Sequence, residues 1–363
     1  MPRLIAYYLP QYHPIPENDE WWGNGFTEWA NVAKAKPLFK EHYQPHLPAD
    51  LGFYDLRVPE VREAQAELAR SAGIEGFCYW HYWFAGKQLL DRPFSEVLSS
   101  GRPDFPFCLA WANQSWTGIW HGNPDKVLIE QTYPGYDDHL AHFNALLPAF
   151  LDPRYLRVDG KPIFLIFQPG ELSVEVIQLW QRLAQKAGLP GLHLTGIINK
   201  TREATIIQEL GYSACTISRA SGRGNQLSWD REYLRRIVGE GRAQSLYKRL
   251  FRRPYYVFDS REASAFQDLP TNTHIDFYPC IIPGFDNSPR TGLDALIFTH
   301  SCPEVFIDHL QKAAKRVASN PPERQIIILK SWNEWAEGNY LEPDQRFGHA
   351  FLDALRTFMH SLK

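Results

Sequence analysis

The chain has 363 residues, of which 44% are hydrophobic, and its formal net charge is −3. This length and composition can bury the core of one large α/β barrel or of two medium domains, so we expect the chain to fold unaided. With no long run of one sign, the overall charge gives no indication of a nucleic-acid partner or an anionic-membrane partner.

The cysteines and the apolar segments indicate the cellular compartment. Five Cys are widely spaced and odd in number, and most of them lie in apolar, strand-like runs. This pattern is typical of buried thiols and not of a disulfide framework or a zinc site. No stretch approaches the roughly 20 apolar residues of a membrane span, and the N-terminus lacks the pattern of a signal peptide. We therefore expect a cytoplasmic protein without a membrane span, unless this sequence is part of a longer chain.

Short apolar runs alternate with segments of helical period along the sequence. The predicted strands are Leu4–Leu9, Gly76–Trp83, Phe107–Trp111, Ile163–Phe167, Leu192–Ile198, Ala214–Ile217, Ile275–Ile282 and Ile326–Leu329. The predicted helices lie at about 59–73, 88–98, 137–150, 171–187, 201–210, 229–251, 303–318 and 349–361. Eight strands, each followed by a helix, indicate a (β/α)₈ TIM barrel, which we expect to form a single domain over residues 1–363.

The segment between the first strand and the first helix bears on this fold. A doubly wound sheet, the main alternative, would need a glycine-rich phosphate turn after the first strand, and Leu9–Pro14 is not one. Pro14 to Leu51 is predicted as a long loop rich in Pro, Gly, Asn and Trp. Because loops of this length are usually functional, we expect it to close over one end of a cleft and to set specificity.

Polar and aromatic side chains collect where the predicted strands end. In a barrel of parallel strands these ends share one face, and the active site lies there. The chain has 12 Trp, and indole rings offer stacking surfaces for sugars. We therefore predict a carbohydrate cleft. The residues expected to bind substrate there are Tyr8, Tyr12, His13, Glu28, Trp29, His81, Trp83, Asn113, Gln114, Trp116, Asp286, Arg290, Asn333 and Trp335.

Two carboxylates follow the last predicted strand. Glu334 and Glu337 are three residues apart and stand among indole rings. Cleavage of a glycosidic bond needs one group that protonates the leaving oxygen and a second that acts on the sugar. This pair is therefore our candidate for the catalytic groups, although a solvated Glu-x-x-Glu at a strand end would have the same spacing.

Three histidines are candidate metal ligands by residue type. His13, His81 and His121 lie on separate segments without the tight spacing of a metal site, which favours hydrogen bonding to sugar or a structural role. We expect neither a metal nor an organic cofactor, since two-carboxylate chemistry needs none.

Two further clusters each have a structural interpretation. The run Trp80–Trp83 could fill the barrel interior, but strand alternation sends only some of its rings inward, and its place at a strand exit favours at least one of the rings as a sugar platform. Lys248, Arg252 and Arg253 are typical of a solvated helix end.

The motifs YYLPQYH, GFTEW, GFCYWHYWF, LAWANQSWT, PGFDNSPR and SWNEWAEG occur in this order. As a set, from Leu4 to His360, they resemble the glycoside hydrolase family 99-like domain of bacterial polysaccharide and lipopolysaccharide biosynthesis proteins. The resemblance implies a (β/α)₈ barrel related to endo-acting α-mannosidases, which cleave α-1,2-mannosidic bonds with retention. It also implies that Glu334 acts as a base on the substrate's own 2-hydroxyl. Glu337 would protonate the leaving oxygen and then activate water.

The resulting hypothesis is a retaining α-glycosidase-like enzyme. Its substrate would be a carbohydrate, a bacterial surface polysaccharide or O-antigen glycan that contains mannose or rhamnose. A glycosyltransferase is the first alternative, because members in biosynthetic clusters carry that label. However, the Asp-x-Asp motif that often binds a diphosphate is absent from the sequence. The second alternative, a non-catalytic glycan-binding module, would not need the carboxylate pair.

Overall fold

The computed structural model describes residues 1–118, 123–217, 229–261 and 273–362. Nine parallel strand segments form one sheet that curls into a nearly closed barrel, which confirms the predicted fold class. The segments are β1 Arg3–Tyr8, β2 Gly76–Phe84, β3 Phe107–Trp111, β4 Lys161–Ile166, β5 His193–Ile198, β6 Ala214–Ile217, β7a Asp276–Tyr278, β7b Cys280–Ile281 and β8 Ile326–Leu329.

The barrel closes at a proline. β7a pairs with β6 and β7b pairs with β8, so the two ends of the sheet meet at Pro279. Proline has no N–H to give to a ladder, but its carbonyl oxygen accepts a 2.9 Å hydrogen bond from the backbone N–H of Ile328. The seventh strand of the barrel is therefore split into two short segments.

Helices surround the barrel. They are α1 Pro16–Trp22, α2 Glu28–Lys34, α3 Pro59–Ser71, α4 Arg92–Ser100, α5 Tyr136–Leu151, α6 Val174–Lys186, α7 Glu203–Leu210, α8 Trp229–Val238, α9 Glu240–Phe251, α10 Ser288–Thr291, α11 Pro303–Val317 and α12 Ala350–Ser361. In the described part of the chain, none of them is long and apolar enough to cross a bilayer.

Two predicted helices differ from the structure. Residues Lys87–Leu89 form a short strand that pairs with the end of β2, so α4 begins only at Arg92. The long helix predicted over 229–251 is broken at Gly239, whose φ of +78° lies in the left-handed region that favours glycine. Helices α8 and α9 therefore form a hairpin.

The segment after β1 is more ordered than the predicted loop. Proline at the first position of α1 and acidic residues in its first turn favour a helix there. The backbone N–H of Glu28, the first residue of α2, donates a 3.1 Å hydrogen bond to the carbonyl of Gln11. This contact holds α2 against the carboxyl end of the barrel, where the strand ends converge.

Strand alternation decides which rings enter the barrel. Tyr7 on β1 stacks on Trp80 on β2, with ring centroids 4.9 Å apart and an interplanar angle of 16°. The neighbouring residues point the other way: the Tyr8 hydroxyl donates to Gln65 on α3 at 2.7 Å, and Trp83 stacks on His142 of α5. The even-numbered residues at the end of β2 therefore face the interior.

Candidate active site

A cavity of about 380 Å³ opens at the carboxyl ends of the strands. This volume is in the usual range for small-molecule sites. Six of the eight strand exits and α1 contribute to it. Its lining residues are Leu9, Gln11, Trp22, Trp80, Tyr82, Ala112, Gln114, Ser115, Trp116, Thr117, Phe167, Arg290, Lys330, Glu334 and Glu337.

The two glutamates reach this cavity from a single tight turn. Residues Trp335–Glu337 form a 3₁₀ turn directly after Glu334. Since a 3₁₀ helix has 3.0 residues per turn, side chains three positions apart project from the same side. The turn ends at Gly338, where φ is +57° and an added Cβ would lie 3.0 Å from the backbone nitrogen of Asp286. Glycine is therefore required at this position to keep both carboxylates in place.

One arginine joins three carboxylates. Arg290 Nη1 lies 2.5 Å from Glu337 Oε1 and 3.6 Å from Glu334 Oε1, and its Nε lies 3.2 Å from Glu28 Oε2. Burial disfavours the charged guanidinium, but Glu28, Glu337 and Glu334 outweigh burial and raise the pKa of Arg290 above its usual value. Arg290 is thus a fixed positive charge between the two site carboxylates and a fully buried third.

The pKa of Glu334 lies above the ordinary value of a glutamate carboxyl. Burial, together with the nearby Glu337 carboxylate, raises the pKa of Glu334 to about 7, although Lys330, Arg290 and Ser331 oppose the shift. The Ser331 hydroxyl donates to Glu334 Oε2 at 3.0 Å, and Lys330 Nζ lies 3.9 Å from Glu337 Oε2. A carboxyl whose pKa lies near neutrality can both take up and release a proton at neutral pH.

Tyr12 holds the backbone on both sides of Glu334. Its hydroxyl donates to the carbonyl of Asn333 at 2.5 Å and accepts from the N–H of Trp335 at 3.1 Å. The Asn333 side chain accepts from the N–H of Leu9 at 2.7 Å and donates to the carbonyl of the same residue at 3.1 Å. An amide side chain presents the donor and acceptor of a peptide group, so Asn333 extends the β1–β8 pairing past the strand ends.

Another buried carboxylate, that of Glu342, lies behind the turn and does not line this cavity. Glu342 accepts hydrogen bonds from Gln65 Nε2 (2.6 Å), the Tyr54 hydroxyl (2.9 Å) and Trp335 Nε1 (2.6 Å). Burial raises its pKa to about 7, although these bonds lower it. Through the indole of Trp335, Glu342 connects the glutamate turn to α3 and to the segment after β1.

Asp286 supports the turn from the other side. Its carboxylate contacts His42 Nε2 at 2.6 Å and accepts from Gln44 Nε2 at 2.7 Å, and its backbone N–H donates to the carbonyl of Glu337 at 2.6 Å. It also lines a separate cavity of about 350 Å³. Asp286 therefore positions the peptide of Glu337 without lining the first cavity.

The predicted site residues fall into three groups. Those that line the first cavity are Gln114, Trp116, Arg290, Glu334 and Glu337. Those that lie behind it and contact lining residues or the glutamate turn are Tyr12, Glu28, Trp29, Asp286, Asn333 and Trp335. Those that lie elsewhere in the barrel are Tyr8, His13, His81, Trp83 and Asn113.

The structure does not bring His81 and Trp83 to this cavity, which is lined instead by their neighbours Trp80 and Tyr82 on β2. β2 sends Trp80 and Tyr82 into the cavity, while His81 and Trp83 face α5. His81 Nε2 lies 2.8 Å from His142 Nε2, and burial lowers the pKa of His81 to about 3. This pair is a neutral part of the packing between barrel and helix.

Asn113, like Asn333, uses its side chain to hydrogen-bond the backbone at the end of a neighbouring strand. Its side chain donates to the carbonyl of Gln168 at 3.0 Å and accepts from the N–H of the same residue at 2.8 Å. It therefore joins the exits of β3 and β4. Neither asparagine lines the cavity, because the amide groups of both are used by the backbone.

Tyr8, His13 and Trp29 are also occupied by protein partners. Tyr8 points at α3, His13 Nδ1 lies 2.9 Å from the carbonyl of Pro10, and Trp29 Nε1 donates to the carbonyl of Tyr54 at 2.8 Å. His121, weighed above as a metal ligand, lies outside the described residues. Within residues 1–118, 123–217, 229–261 and 273–362, no group of three or more His, Cys, Asp or Glu is arranged to hold a metal ion.

Sequence reasoning missed ten lining residues. They are Leu9, Gln11, Trp22, Trp80, Tyr82, Ala112, Ser115, Thr117, Phe167 and Lys330. For Gln11 and Lys330 a signal was available, since each is the polar residue next to an apolar strand. The apolar lining residues carry no such signal, because side chains of the same kind fill the core.

The sequence between residues 4 and 355 matches the family model described as Glycosyltransferase WbsX. The chain belongs to this WbsX family. Two proteins of Xanthomonas campestris pv. campestris, both named Uncharacterized protein WxcX, are 38% and 37% identical to it over 356 residues. These alignments cover 97% of this chain and 49% of each relative, so the chain spans about half the length of those proteins.

Two solved structures share the fold of this WbsX-family chain. The GH99 endo-α-mannosidase from Bacteroides thetaiotaomicron superposes with a TM-score of 0.56 at 13% identity, covering 99% of this chain and 97% of the mannosidase. A protein described as glycoside hydrolase-like gives a TM-score of 0.60 at 14% identity, with coverages of 98% and 93%. Together with the family match, this likeness confirms the expected resemblance to family 99-like domains.

Proposed function

We propose that the chain is a retaining α-glycosidase-like enzyme that acts on a bacterial surface polysaccharide or O-antigen glycan, with Glu334 and Glu337 as its catalytic pair. One observation carries the proposal: both carboxylates face one cavity from a single turn. The cavity walls include the rings of Trp22, Trp80 and Trp116, which offer stacking surfaces for sugar units.

The titration of Glu334 supports its role as the base. A pKa of about 7 leaves much of this carboxyl ionised at neutral pH and makes it a stronger base than an ordinary carboxylate. In the first step Glu334 takes the proton of the sugar 2-hydroxyl, and the 2-oxygen bonds to the anomeric carbon. The bond from that carbon to the leaving oxygen breaks, and Glu337, which must enter this step protonated while Glu334 is ionised, gives its proton to the leaving oxygen.

The second step reverses these proton transfers. Glu337 takes a proton from the incoming hydroxyl, whose oxygen bonds to the anomeric carbon and opens the 1,2-anhydro ring. Glu334 returns its proton to the 2-oxygen. Two displacements at the same carbon retain its configuration. Arg290, in contact with Glu337 and close to Glu334, balances the negative charge that passes between them.

The family description favours a second candidate function, glycosyl transfer. The 1,2-anhydro intermediate can be opened by a sugar hydroxyl as well as by water, so the same two carboxylates would serve a transglycosidase. Transfer from a nucleotide sugar would need a diphosphate site, and the sequence contains no Asp-x-Asp. We therefore propose hydrolysis or transfer between glycans ahead of nucleotide-sugar chemistry, and both ahead of a non-catalytic binding module.

The cysteines support a reducing compartment as the place of action. Cys78, Cys108, Cys215 and Cys280 are buried and Cys302 is partly buried, and all five are free thiols. We propose the cytoplasm, in which case the enzyme would meet its glycan during biosynthesis.

A substrate panel tests this proposal. α-Linked O-antigen fragments, with mannose- and rhamnose-containing members, are incubated with the protein in the presence and absence of acceptor sugars and nucleotide-sugar donors. We expect a new reducing end or a transferred unit of retained configuration by NMR. We also expect no turnover of the matching 2-O-methyl substrate, since that substrate has no proton for Glu334 to take. Turnover of the 2-O-methyl substrate, or inverted product, would rule out the proposed chemistry.

A further inference from the structure

The α8–α9 hairpin carries a local excess of positive charge. Positions 229–253 hold eight Lys or Arg and three Asp or Glu, a net charge of +5 in a chain whose total is −3. The rest of the chain therefore carries −8. Whole-chain composition, which gave no indication of an anionic partner, conceals this asymmetry.

The same hairpin leaves apolar side chains in solvent. Tyr233 and Ile237 on α8 are 53% and 60% exposed, and Leu250 and Phe251 on α9 are 61% and 53% exposed. These are four of the twelve large hydrophobic side chains that are exposed in the described part of the chain. They are concentrated in two helices of 10 and 12 residues.

The small buried core of the hairpin is built from other residues. Ala243, Tyr247 and Tyr255 form its small buried core. Arg231 Nη1 donates to the carbonyl of Tyr255 at 2.7 Å, and the Tyr255 hydroxyl donates back to the carbonyl of Arg231 at 3.0 Å. Phe251 packs one side of its ring on Tyr247, with centroids 4.8 Å apart, but is still 53% exposed. Ile237, Leu250 and the outer side of Phe251 therefore face solvent, where a partner can reach them.

The hairpin is fastened to the face of the barrel that carries the cavity. Gln244 Nε2 donates to Asp294 Oδ1 at 3.3 Å, and the strand after α9, Tyr256–Asp259, pairs with Leu296–Thr299. Both partners belong to the segment between β7b and α11, which also supplies Arg290 to the site. A surface that binds the hairpin would therefore lie beside the active-site end of the barrel.

We propose that the α8–α9 hairpin docks the protein on an anionic phospholipid surface. Clusters of Lys and Arg on amphipathic helices are attracted to anionic headgroups, and exposed apolar side chains beside them enter the boundary between headgroups and acyl chains. A polyanionic glycan would be attracted to the arginines, but its binding would not bury the apolar side chains of Ile237, Leu250 and Phe251. The combination of charge and apolar surface therefore favours lipid.

Vesicle flotation tests this proposal without any knowledge of the substrate, so its outcome is independent of the proposed reaction. The whole chain is mixed with vesicles of phosphatidylcholine alone or of phosphatidylcholine with phosphatidylglycerol, at low and high salt. We expect flotation only with the anionic vesicles, and less of it at high salt because salt screens the attraction. The double variant Arg249→Glu with Leu250→Ser should bind those vesicles at least about tenfold more weakly.

A matched control lies on α7. Arg202→Glu with Ile206→Ser makes the same change of charge and removes a side chain that is 55% exposed, so it should float like the wild type. Circular dichroism and thermal midpoints check that both double variants remain folded. The proposal is overturned if neither vesicle binds, if both vesicles bind equally, or if the two double variants behave alike. It is also overturned if an acidic polysaccharide binds the hairpin while vesicles do not.

Discussion

Two buried carboxyls of this chain share a raised pKa but occupy different surroundings. The pKa of Glu334 and that of Glu342 are both raised to about 7, in each case mainly by burial. Glu334 faces the cavity beside Glu337 and Arg290. Glu342 is enclosed by three hydrogen-bond donors, is only 3% exposed and does not line the cavity that Glu334 faces. A raised pKa thus marks burial, and only the open cavity makes Glu334 a candidate for catalysis.

The largest expected effect is on the rate. Glu334→Gln and Glu337→Gln should each lower turnover by roughly 10²-fold or more, the usual scale of general acid–base catalysis. At pH 8 the Glu334→Gln variant should also have a thermal midpoint at least equal to that of the wild type, because burial and Glu337 disfavour the charged form of Glu334. Glu171→Gln, on the surface, serves as the control. Unchanged turnover in both site variants would show that Glu334 and Glu337 are not the catalytic groups.

The second effect is a pH dependence of stability that runs opposite to that of a salt-bridged carboxylate. Because the folded-state pKa of Glu342 lies above its ordinary value, its contribution to stability is complete below about pH 4.5. That contribution is lost as the pH rises through about 7. The loss is as much as about 3 kcal/mol, from about 1.4 kcal/mol per pH unit. The free energy of unfolding, measured by urea titration from pH 5 to 8, should show it.

Glu342→Gln should make this pH dependence smaller, because the glutamine amide does not titrate in this range, and the part that remains is the contribution of Glu334, whose pKa is also raised to about 7. The surface variant Glu67→Gln, in which the replaced side chain is 71% exposed, should keep the wild-type profile. A Glu342→Gln profile identical to that of the wild type would show that Glu342 titrates normally.

The third effect concerns the support behind Glu334. Tyr12→Phe removes the hydroxyl that contacts the carbonyl of Asn333 and the N–H of Trp335. Leaving these buried groups without a partner should cost about 2 kcal/mol of unfolding free energy, and the loosened turn should lower kcat more than it changes KM. Tyr256→Phe, which removes an exposed contact with Glu240, should change neither. A Tyr12→Phe variant as stable and active as the wild type would leave Tyr12 without a positioning role.

The smallest effect is expected at the rim of the cavity. The half-buried Trp22 on α1 lines it, so Trp22→Ala should weaken substrate binding by about 1 kcal/mol through lost stacking. The thermal midpoint should hardly change. A point substitution is used here because deleting residues 17–25 would remove the fully buried Asn18 and most of α1. If Trp22→Ala leaves KM unchanged for every substrate, α1 does not contribute to specificity.

The fold and the position of the carboxylate pair were predictable because both depend on local patterns. Apolar runs of strand length reveal the barrel, and the polar residues after them reveal its active face. Glu334 and Glu337 stand directly after the run Ile326–Leu329, so their placement follows from the strand they succeed.

The details of the lining were less predictable, for two physical reasons. Every residue of β2 is buried or nearly so, so the strand has no polar side whose alternation would show that Trp80 and not His81 faces the cavity. Asn113 and Asn333 look like sugar ligands in the sequence. However, backbone groups at the strand ends also need partners, and the structure gives both amides to the backbone.

Because the seventh strand is split, one part of the barrel wall is paired over shorter strand segments than the rest, and buried thiols lie in both parts. Cys78 and Cys108 face each other across the well-paired β2 and β3, whereas Cys280 lies in β7b, which has only two residues. All three are shielded from reagents while the barrel is closed. Labelling with a thiol reagent under native conditions would therefore measure the rate of local opening of the wall, with Cys280 modified before Cys78 and Cys108 if the wall opens at Pro279.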